Sequence, residues 1–387
     1  MLLTLLLALL ALLSIALNLW QWLVAWRFPL HRRERAAPFA PAITIFKPLK
    51  GADAETIGCL RSWFEQDYAG PVQILFGVAS KDDPVREVVE GLLKQFPQAD
   101  AQWLICPESL GPNAKVSTLT QLQRHARHEL VLVSDADVWV PRDFLAQVVL
   151  PLRDPTIGLV NCFYQLANPS TAAMRWEAVA INADFWSQVL QSQSLKPLDF
   201  ALGAVMVTRR HLLEKIGGFR ALVDCLADDY QLGNRIARLG QRIVLSPLVV
   251  ECRSHAMDWS EVGAHQLRWA RTIRVCQPLP YFFSVLNNQT LWTFLLALRL
   301  MSFWGIALVL GSLAVRYLTA RANAQKLTGK APDFNVADVM IKDLCQAAVW
   351  LLAFAGNTVV WRGDRFRVLS GGQLKKLKTP DQAVIRD

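Results

Sequence analysis

The first 26 residues contain no charged side chain and consist mostly of Leu and Ala. A run of this length is long enough to cross the hydrocarbon core of a bilayer as a helix. Basic residues follow the run from Arg27 onward and none precedes it, whereas a cleaved signal peptide begins with basic residues. We therefore predict a transmembrane anchor at residues 1–26, with residue 27 onward on the cytoplasmic side.

The chain becomes apolar again after about residue 280. C-terminal transmembrane segments are expected within residues 288–361, with spans at Met301–Val315 and Gln346–Trp361. A basic cytoplasmic tail at residues 362–387 then agrees with the positive-inside rule. A re-entrant hairpin is the alternative, because the segment between the two spans is also basic. Its basic residues are Arg316, Arg321, Lys326 and Lys330.

Hydrophobic residues make up 53% of the chain, and the formal net charge is +9. The basic residues adjoin the apolar runs and form no stripe with interleaved aromatics, so we expect a bilayer surface and not nucleic acid as the partner. The seven cysteines show no CxxC spacing, so neither a disulfide framework nor a zinc site is expected. The composition indicates a multi-pass protein of the bacterial inner membrane. The basic residues in question are His31, Arg32, Arg33, Arg35, Arg362, Arg365, Arg367, Lys375, Lys376 and Lys378.

Between the apolar ends, residues 38–255 alternate β-rich runs with helical patterns. This alternation predicts an α/β domain with a mixed, mostly parallel sheet and crossover helices. The expected helices cover residues 53–66, 84–96 and 116–127. The expected strands are Ile43–Phe46, Val72–Val78, Trp103–Cys106 and Leu130–Ser134.

Two carboxylates, Asp135 and Asp137, directly follow the apolar strand at residues 130–134. Ligands of open α/β sheets bind outside the carboxyl ends of strands. Two carboxylates there can hold Mg²⁺ or Mn²⁺, whose other positions are filled by water and phosphate oxygens. The alternative is that the pair only caps the following turn.

Two further acidic pairs occur, Asp82 with Asp83 and Asp228 with Asp229. Each can also be explained as the N-terminal cap of the helix that follows it. Their combination with the pair at 135 and 137, and with Arg268 and Trp269, favours a functional site. The last two residues lie in an amphipathic stretch, within a predicted interface helix at residues 256–280.

This order of motifs resembles the ceramide glucosyltransferase family of inverting, membrane-bound glycosyltransferases, and the chain looks like a bacterial-type member. The family pattern D, D, D, (Q/R)xxRW falls on Asp82 or Asp83, then Asp135, Asp229 and Arg268–Trp269. His265 stands where the pattern has Gln or Arg. The segments Phe46–Gly51, Gly111–Lys115 and Gly217–Phe219 also resemble family segments.

The resemblance implies a nucleotide-sugar-binding domain of the glycosyltransferase-A type with transmembrane helices at both ends. It also implies a UDP-sugar donor, with Asp82 or Asp83 at the uracil or ribose and the metal on Asp135 and Asp137. Asp229 is expected to be the general base, and Asp228 is the competing candidate. The remaining candidates are Lys115 and Arg268 at the diphosphate, Trp269 at the bilayer surface, and His265 in substrate binding.

The implied reaction transfers a hexose, with glucose as the leading candidate, to the primary hydroxyl of ceramide and gives a β-glycosyl lipid. A hopanoid or another membrane lipid is the alternative acceptor, with UDP-N-acetylglucosamine as a possible donor. A non-catalytic membrane scaffold is the second alternative. It would predict loss of the carboxylate set, all of which is present.

Overall fold

A computed structural model of the protein describes residues 1–34, 39–361 and 364–377. All the candidate site residues fall within these ranges. Arg35, Pro38, Arg362, Lys378 and the end of the predicted tail lie outside them. The chain forms two compact units. The helical unit contains residues 1–28, 169–195 and 256 onward, and the sheet unit contains residues 29–168 and 196–255.

The helices and strands are numbered separately, in chain order. The α-helices of the described residues are α1 (Leu2–Arg27), α2 (Thr56–Arg61), α3 (Val85–Gln95), α4 (Ala114–Gln123), α5 (Phe144–Val148), α6 (Ala172–Val179), α7 (Trp186–Leu195), α8 (Arg210–Lys215), α9 (Asp228–Arg238), α10 (Trp259–Cys276), α11 (Pro278–Phe283), α12 (Gln289–Leu300), α13 (Phe303–Thr328) and α14 (Val336–Phe354). The strands are β1 (Ile43–Pro48), β2 (Val72–Val78), β3 (Asp100–Ile105), β4 (Leu130–Ser134), β5 (Val138–Trp139), β6 (Ile157–Leu166), β7 (Val205–Arg209), β8 (Arg242–Cys252), β9 (Thr358–Trp361), β10 (Asp364–Val368) and β11 (Leu374–Lys376).

The sheet unit is built on one mixed sheet with the strand order β3-β2-β1-β4-β7-β6-β8-β5. The first four strands are parallel, and β6 is parallel to β8, while β7 and β5 run antiparallel to their neighbours. Strands β1 and β4 are buried along their whole length, as expected for strands covered on both faces. The predicted α/β class with a mixed, mostly parallel sheet is confirmed.

Parallel pairing brings the ends of several strands to one edge of this sheet. Phe46 of β1 pairs with Val133 of β4, so the turn after Ser134 lies beside the loop after β1. Helix α4 packs closely on the sheet, because a Cβ atom at Gly77 would lie 2.7 Å from the Thr118 side chain. The carboxylates that follow β4 and the N-terminus of α4 therefore belong to the same edge.

The helical unit contains two helices, α1 and α13, that are long and apolar enough to cross a membrane among the described residues. Polar contacts fix their packing within the unit. Gln21 of α1 donates to Ser187 of α7 at 2.6 Å, and Thr319 of α13 donates to Asn18 of α1 at 2.7 Å. Hydrogen bonds of this kind join helices where the surroundings are apolar.

The structure corrects the predicted extent of the last two apolar segments. Helix α13 continues through Arg316, Arg321 and Lys326, although the sequence predicts a basic loop there. Arg316 is only 3% exposed, and its guanidinium lies 2.7 Å from Asp184 and 3.0 Å from Asp343. These two carboxylates neutralise the charge, so Arg316 does not end the helix.

The apolar run Gln346–Trp361 is not a single helix. Helix α14 ends at Phe354, and residues 358–361 form strand β9. Strand β9 pairs antiparallel with β10, which in turn pairs with β11. The β-branched residues Thr358, Val359 and Val360 suit a strand. Because β10 and β11 pair in the same small sheet, residues 364–376 of the predicted tail contribute to it.

Candidate active site

Lys115, the second residue of α4, connects two of the predicted acidic pairs. Its Nζ atom lies 2.7 Å from Oδ1 of Asp135 and 3.3 Å from Oδ2 of Asp228. Burial opposes the charged form, but the two carboxylates outweigh it and raise the pKa of Lys115 above its ordinary value. The lysine is therefore a fixed positive charge at the edge of the sheet.

The N-terminus of α4 is tied to the loop that leads to Asp228. The side chain of Asn113 accepts a hydrogen bond from the Val116 N–H at 3.1 Å and so caps α4. Its amide nitrogen donates to the carbonyl oxygen of Cys225 at 2.8 Å. The backbone N–H of Asn113 donates to the carbonyl oxygen of Val223 at 2.9 Å. These bonds explain how Gly111–Lys115 and Asp228–Asp229, distant in sequence, come together.

Lys47 of β1 stabilises the turn that carries Asp135 and Asp137. Lys47 is fully buried. Its Nζ donates to the hydroxyl of Ser134 at 3.2 Å and to the backbone carbonyl of Asp135, and it lies 4.9 Å from the centre of the Trp63 ring. Burial lowers the pKa of Lys47 to about 8. The sequence alone predicts no role for Lys47, and its local signal is a lysine in an apolar strand.

Asp137 keeps an exposed surface beside the turn. Desolvation by the surrounding protein atoms, together with the charge of Asp135, raises the pKa of its carboxyl to about 6. Among the described residues, no three His, Cys, Asp or Glu side chains are placed to hold a metal ion by themselves. The two carboxylates nevertheless fit Mg²⁺ or Mn²⁺ as partial ligands, because such ions take most of their other ligands from phosphates and water.

Asp229 is partly buried in the first turn of α9. Burial and the adjacent Asp228 raise the pKa of Asp229 to about 6. Its Oδ1 accepts the backbone N–H of Tyr230 at 2.7 Å, and its Oδ2 lies against Gly203, where a Cβ atom would approach it to 2.8 Å. Of the adjacent pair, Asp228 is the carboxylate in the ion pair with Lys115.

The first acidic pair divides into two different environments. Asp83 accepts backbone hydrogen bonds from Gly51 at 2.9 Å and from Val85 at 3.0 Å. It therefore joins the loop after β1 to the start of α3, which is a structural use of its carboxylate. Asp82 is exposed, so its side chain is the more accessible of the two.

The remaining candidates lie in the helical unit, on α10. This helix begins with a reciprocal cap between Asp258 and Glu261. The helix covers the predicted amphipathic stretch. The Nδ1 atom of His265 lies 2.8 Å from a carboxylate oxygen of Glu177, and the His265 ring centre is 4.4 Å from that of Trp269. Arg268 belongs to the same helix. Glu177 was missed by the sequence analysis, since nothing in its local pattern distinguishes it.

Residues 6–374 match the family Glycosyl transferase family 21. The chain is similar to Ceramide glucosyltransferase 3 of Caenorhabditis elegans, with 22% identity over 360 residues that cover 90% of this chain and 77% of that protein. It is also similar to the ceramide glucosyltransferase of Candida albicans, with 34% identity over 122 residues that cover 29% of this chain and 22% of that protein.

A solved structure with a similar fold is the mannosyltransferase PcManGT from Pyrobaculum calidifontis, in complex with GDP-Man and Mn²⁺. The TM-score is 0.51 at 21% identity, and the match covers 89% of this chain and 98% of that one. This likeness confirms the predicted glycosyltransferase-A-type fold. The family match over nearly the whole chain shows that this protein belongs to glycosyl transferase family 21 and is a sugar-transferring enzyme.

Proposed function

We propose that the protein transfers a hexose, with glucose as the first candidate, from a UDP-sugar to the primary hydroxyl of ceramide with inversion at the anomeric carbon. The main support for this proposal is the arrangement of Lys115, Asp135 and Asp228 at the carboxyl edge of the sheet. It combines a buried cation with carboxylates where α/β sheets bind ligands. The similarity to ceramide glucosyltransferases supports the lipid acceptor.

The leaving diphosphate needs positive charge, and this chain supplies it through Lys115, with Arg268 as a further candidate. Asp135 and Asp137 would hold Mg²⁺ or Mn²⁺, which supplies charge neutralisation for the diphosphate when bound. The mannosyltransferase with the similar fold was solved with Mn²⁺, which supports a divalent ion. Lys47 fixes the backbone of the turn, so the two carboxylates keep their positions. Asp82, the more exposed of its pair, is our candidate for the contact to the uracil or ribose.

Asp229 is our candidate for the general base. It takes the proton of the acceptor hydroxyl while the hydroxyl oxygen bonds to the anomeric carbon. The bond from that carbon to the diphosphate oxygen breaks at the same time, and the diphosphate leaves with the electron pair. Asp228 is less suited to this role because it is already paired with Lys115. Oδ2 of Asp229 is the oxygen available for the proton, since Oδ1 accepts the Tyr230 N–H.

The protein is associated with membranes through its apolar helices, of which α1 and α13 are long enough to span a bilayer. We further propose that it is a multi-pass protein of the bacterial inner membrane with the sheet unit in the cytoplasm. Helix α10, with exposed Trp259, suits a position at the bilayer surface, where Trp269 and Arg268 would meet the lipid acceptor.

The test is product analysis by mass spectrometry of membrane-embedded protein. It is given UDP-glucose or UDP-N-acetylglucosamine, Mg²⁺ or Mn²⁺, and ceramide, diacylglycerol or a hopanoid. A hexosyl-ceramide that disappears in Asp229→Asn, while UDP binding survives, would support the acceptor and the base. The control is Asp224→Asn, an exposed carboxylate of the preceding loop. A modified hopanoid would replace ceramide as acceptor, and no product with any pair would favour the scaffold alternative.

A further inference from the structure

Glu177 of α6 is a buried carboxylate with one oxygen in use and one unpaired. The residue is 1% exposed. Its Oε1 accepts hydrogen bonds from Nδ1 of His265 and from Nε2 of Gln266, both at 2.8 Å. Its Oε2 has no hydrogen-bond partner among the described residues. Leaving a buried carboxylate oxygen unpaired is unfavourable, so packing of α6 on α10 alone does not account for this residue.

The contact with Glu177 determines which tautomer of the His265 ring is favoured. A carboxylate oxygen accepts hydrogen bonds, so the contact favours the tautomer with the hydrogen on Nδ1. In that tautomer Nε2 is an acceptor. A carboxylate that fixes the tautomer and orientation of a histidine in this way is a common arrangement in functional sites. The His265 side chain is 28% exposed, so a ligand can reach it.

The surroundings of the pair suit a lipid head group. His265 meets the ring of Trp269, and the helical unit that holds the pair also contains the two candidate membrane spans. Helix α6 continues directly into a π-helical turn at Ala180–Phe185, a local distortion that is frequent at functional sites.

We propose that Glu177 and His265 form a hydroxyl-recognition dyad for the acceptor lipid. His265 accepts a hydrogen bond, through Nε2, from a hydroxyl that does not react, and Glu177 is the positioning residue that fixes the ring. This inference rests on the proposed lipid acceptor. The ligand class is a lipid with a secondary hydroxyl near its reacting primary hydroxyl, as in ceramide.

The experiment compares two acceptors, ceramide and its analogue that lacks only the secondary hydroxyl. A site built to bind a hydroxyl discriminates against the analogue without it. The wild-type protein should therefore lose about tenfold or more in kcat/KM with the analogue. In His265→Ala the two acceptors should react at nearly equal rates, because the hydroxyl has lost its partner. Glu177→Gln should reduce the preference and raise the acceptor KM, with the donor KM unchanged.

Gln266→Ala is the matched control, since it removes the other hydrogen bond to the same carboxylate oxygen. It should keep the preference for the hydroxylated lipid. An unchanged preference in His265→Ala, with transfer still measurable, would overturn the dyad and leave the proposed function intact. Absence of transfer to both lipids by the wild-type protein would overturn the proposed acceptor and the dyad together.

Discussion

The Nζ atom of Lys115 lies 2.7 Å from Oδ1 of Asp135. The same ammonium reaches Asp228 at 3.3 Å, so one lysine joins the turn after β4 to the start of α9. Both contacts are made by a side chain that is nearly buried. Removing this cation leaves two carboxylates near each other without compensation, so we expect lower stability and, from the proposed role of Lys115 at the diphosphate, weaker donor binding.

We expect Lys115→Met to lower the free energy of unfolding by about 3 kcal/mol, the lower end of the range for breaking a buried ion pair. The lower end applies because Asp135 retains contact with solvent. UDP affinity should fall as well. Thermal unfolding and UDP titration of the detergent-solubilised protein measure the two effects. Lys215→Met, at an exposed lysine of α8, should change neither; equal effects of both variants would contradict the role of Lys115.

The pH–rate profile of sugar transfer should have an acidic limb that is set by the ionisation of Asp229. Burial and Asp228 raise the pKa of Asp229 from 3.8 to about 6, and a general base acts in its ionised form. The rate kcat should therefore fall about tenfold per pH unit below about pH 6. The raised pKa favours the neutral carboxyl in the folded protein, so this group stabilises the fold at low pH and loses that contribution as the pH rises from about 4 to 6.

The variant Asp229→Asn should lose about 10²- to 10⁴-fold in kcat, the usual contribution of acid–base catalysis. It should be no less stable than the wild type at pH 8, since the amide carries no buried charge. Transfer assays and thermal unfolding at pH 5 and pH 8 test both parts. A variant that remains active would move the base to Asp228, which Asp228→Asn would then identify.

Local patterns were sufficient to predict much of the sheet unit. The helix predicted at residues 84–96 is α3, at Val85–Gln95, and the predicted strand Val72–Val78 has the same limits in the structure. Helix α2 is shorter than the predicted 53–66, because residues 62–66 turn to pack against strand β5 and the Pro141 loop. Such boundaries depend on contacts that local periodicity does not contain.

Contacts distant in sequence were not predictable in this way. The local sequence predicts that Arg316 begins a basic loop. Its partner Asp184 lies 132 residues earlier in the chain, so the contact is not visible in the local pattern. Glu177 and His265 are 88 residues apart. Lys47 shows only as a lysine in an apolar strand, and its bonds to the turn of Asp135 require the parallel pairing of β1 with β4. The roles of these residues follow from tertiary structure.

Gly203 should be sensitive to the smallest possible substitution. A Cβ atom there would lie 2.8 Å from Oδ2 of Asp229, closer than van der Waals contact allows. We expect Gly203→Ala to displace this carboxylate and lower kcat by about tenfold or more, as a small misplacement of a reacting group does. UDP affinity should be nearly unchanged. The matched control is Gly58→Ala in α2, where nothing lies within 4 Å of the added Cβ and full activity is expected; full activity of Gly203→Ala would argue against Asp229 as base.

The buried charges of the helical unit give a final prediction. Arg316 and Lys342 face Asp184 and Asp343, and Thr290 donates to Asp343 at 2.5 Å. Two cations and two carboxylates balance, so removing one member leaves an uncompensated charge away from water. Breaking a buried pair in this way typically lowers the free energy of unfolding by about 3–5 kcal/mol.

We therefore expect Arg316→Met to lower the melting temperature strongly, although Met adds apolar surface to the candidate span. The control is Arg321→Met on the same helix. Among the residues that the structure describes, the Arg321 guanidinium reaches only the Tyr317 hydroxyl, at 3.4 Å, so its loss should have little effect. The double variant Arg316→Met with Asp343→Asn should recover part of the stability, because it removes one cation and one carboxylate together. The complete cycle is measured by thermal unfolding of the wild type, the single variants Arg316→Met and Asp343→Asn, and the double variant. Additive losses in the double variant would show that the two residues act independently, and the network would then not be what fixes α13 against α14.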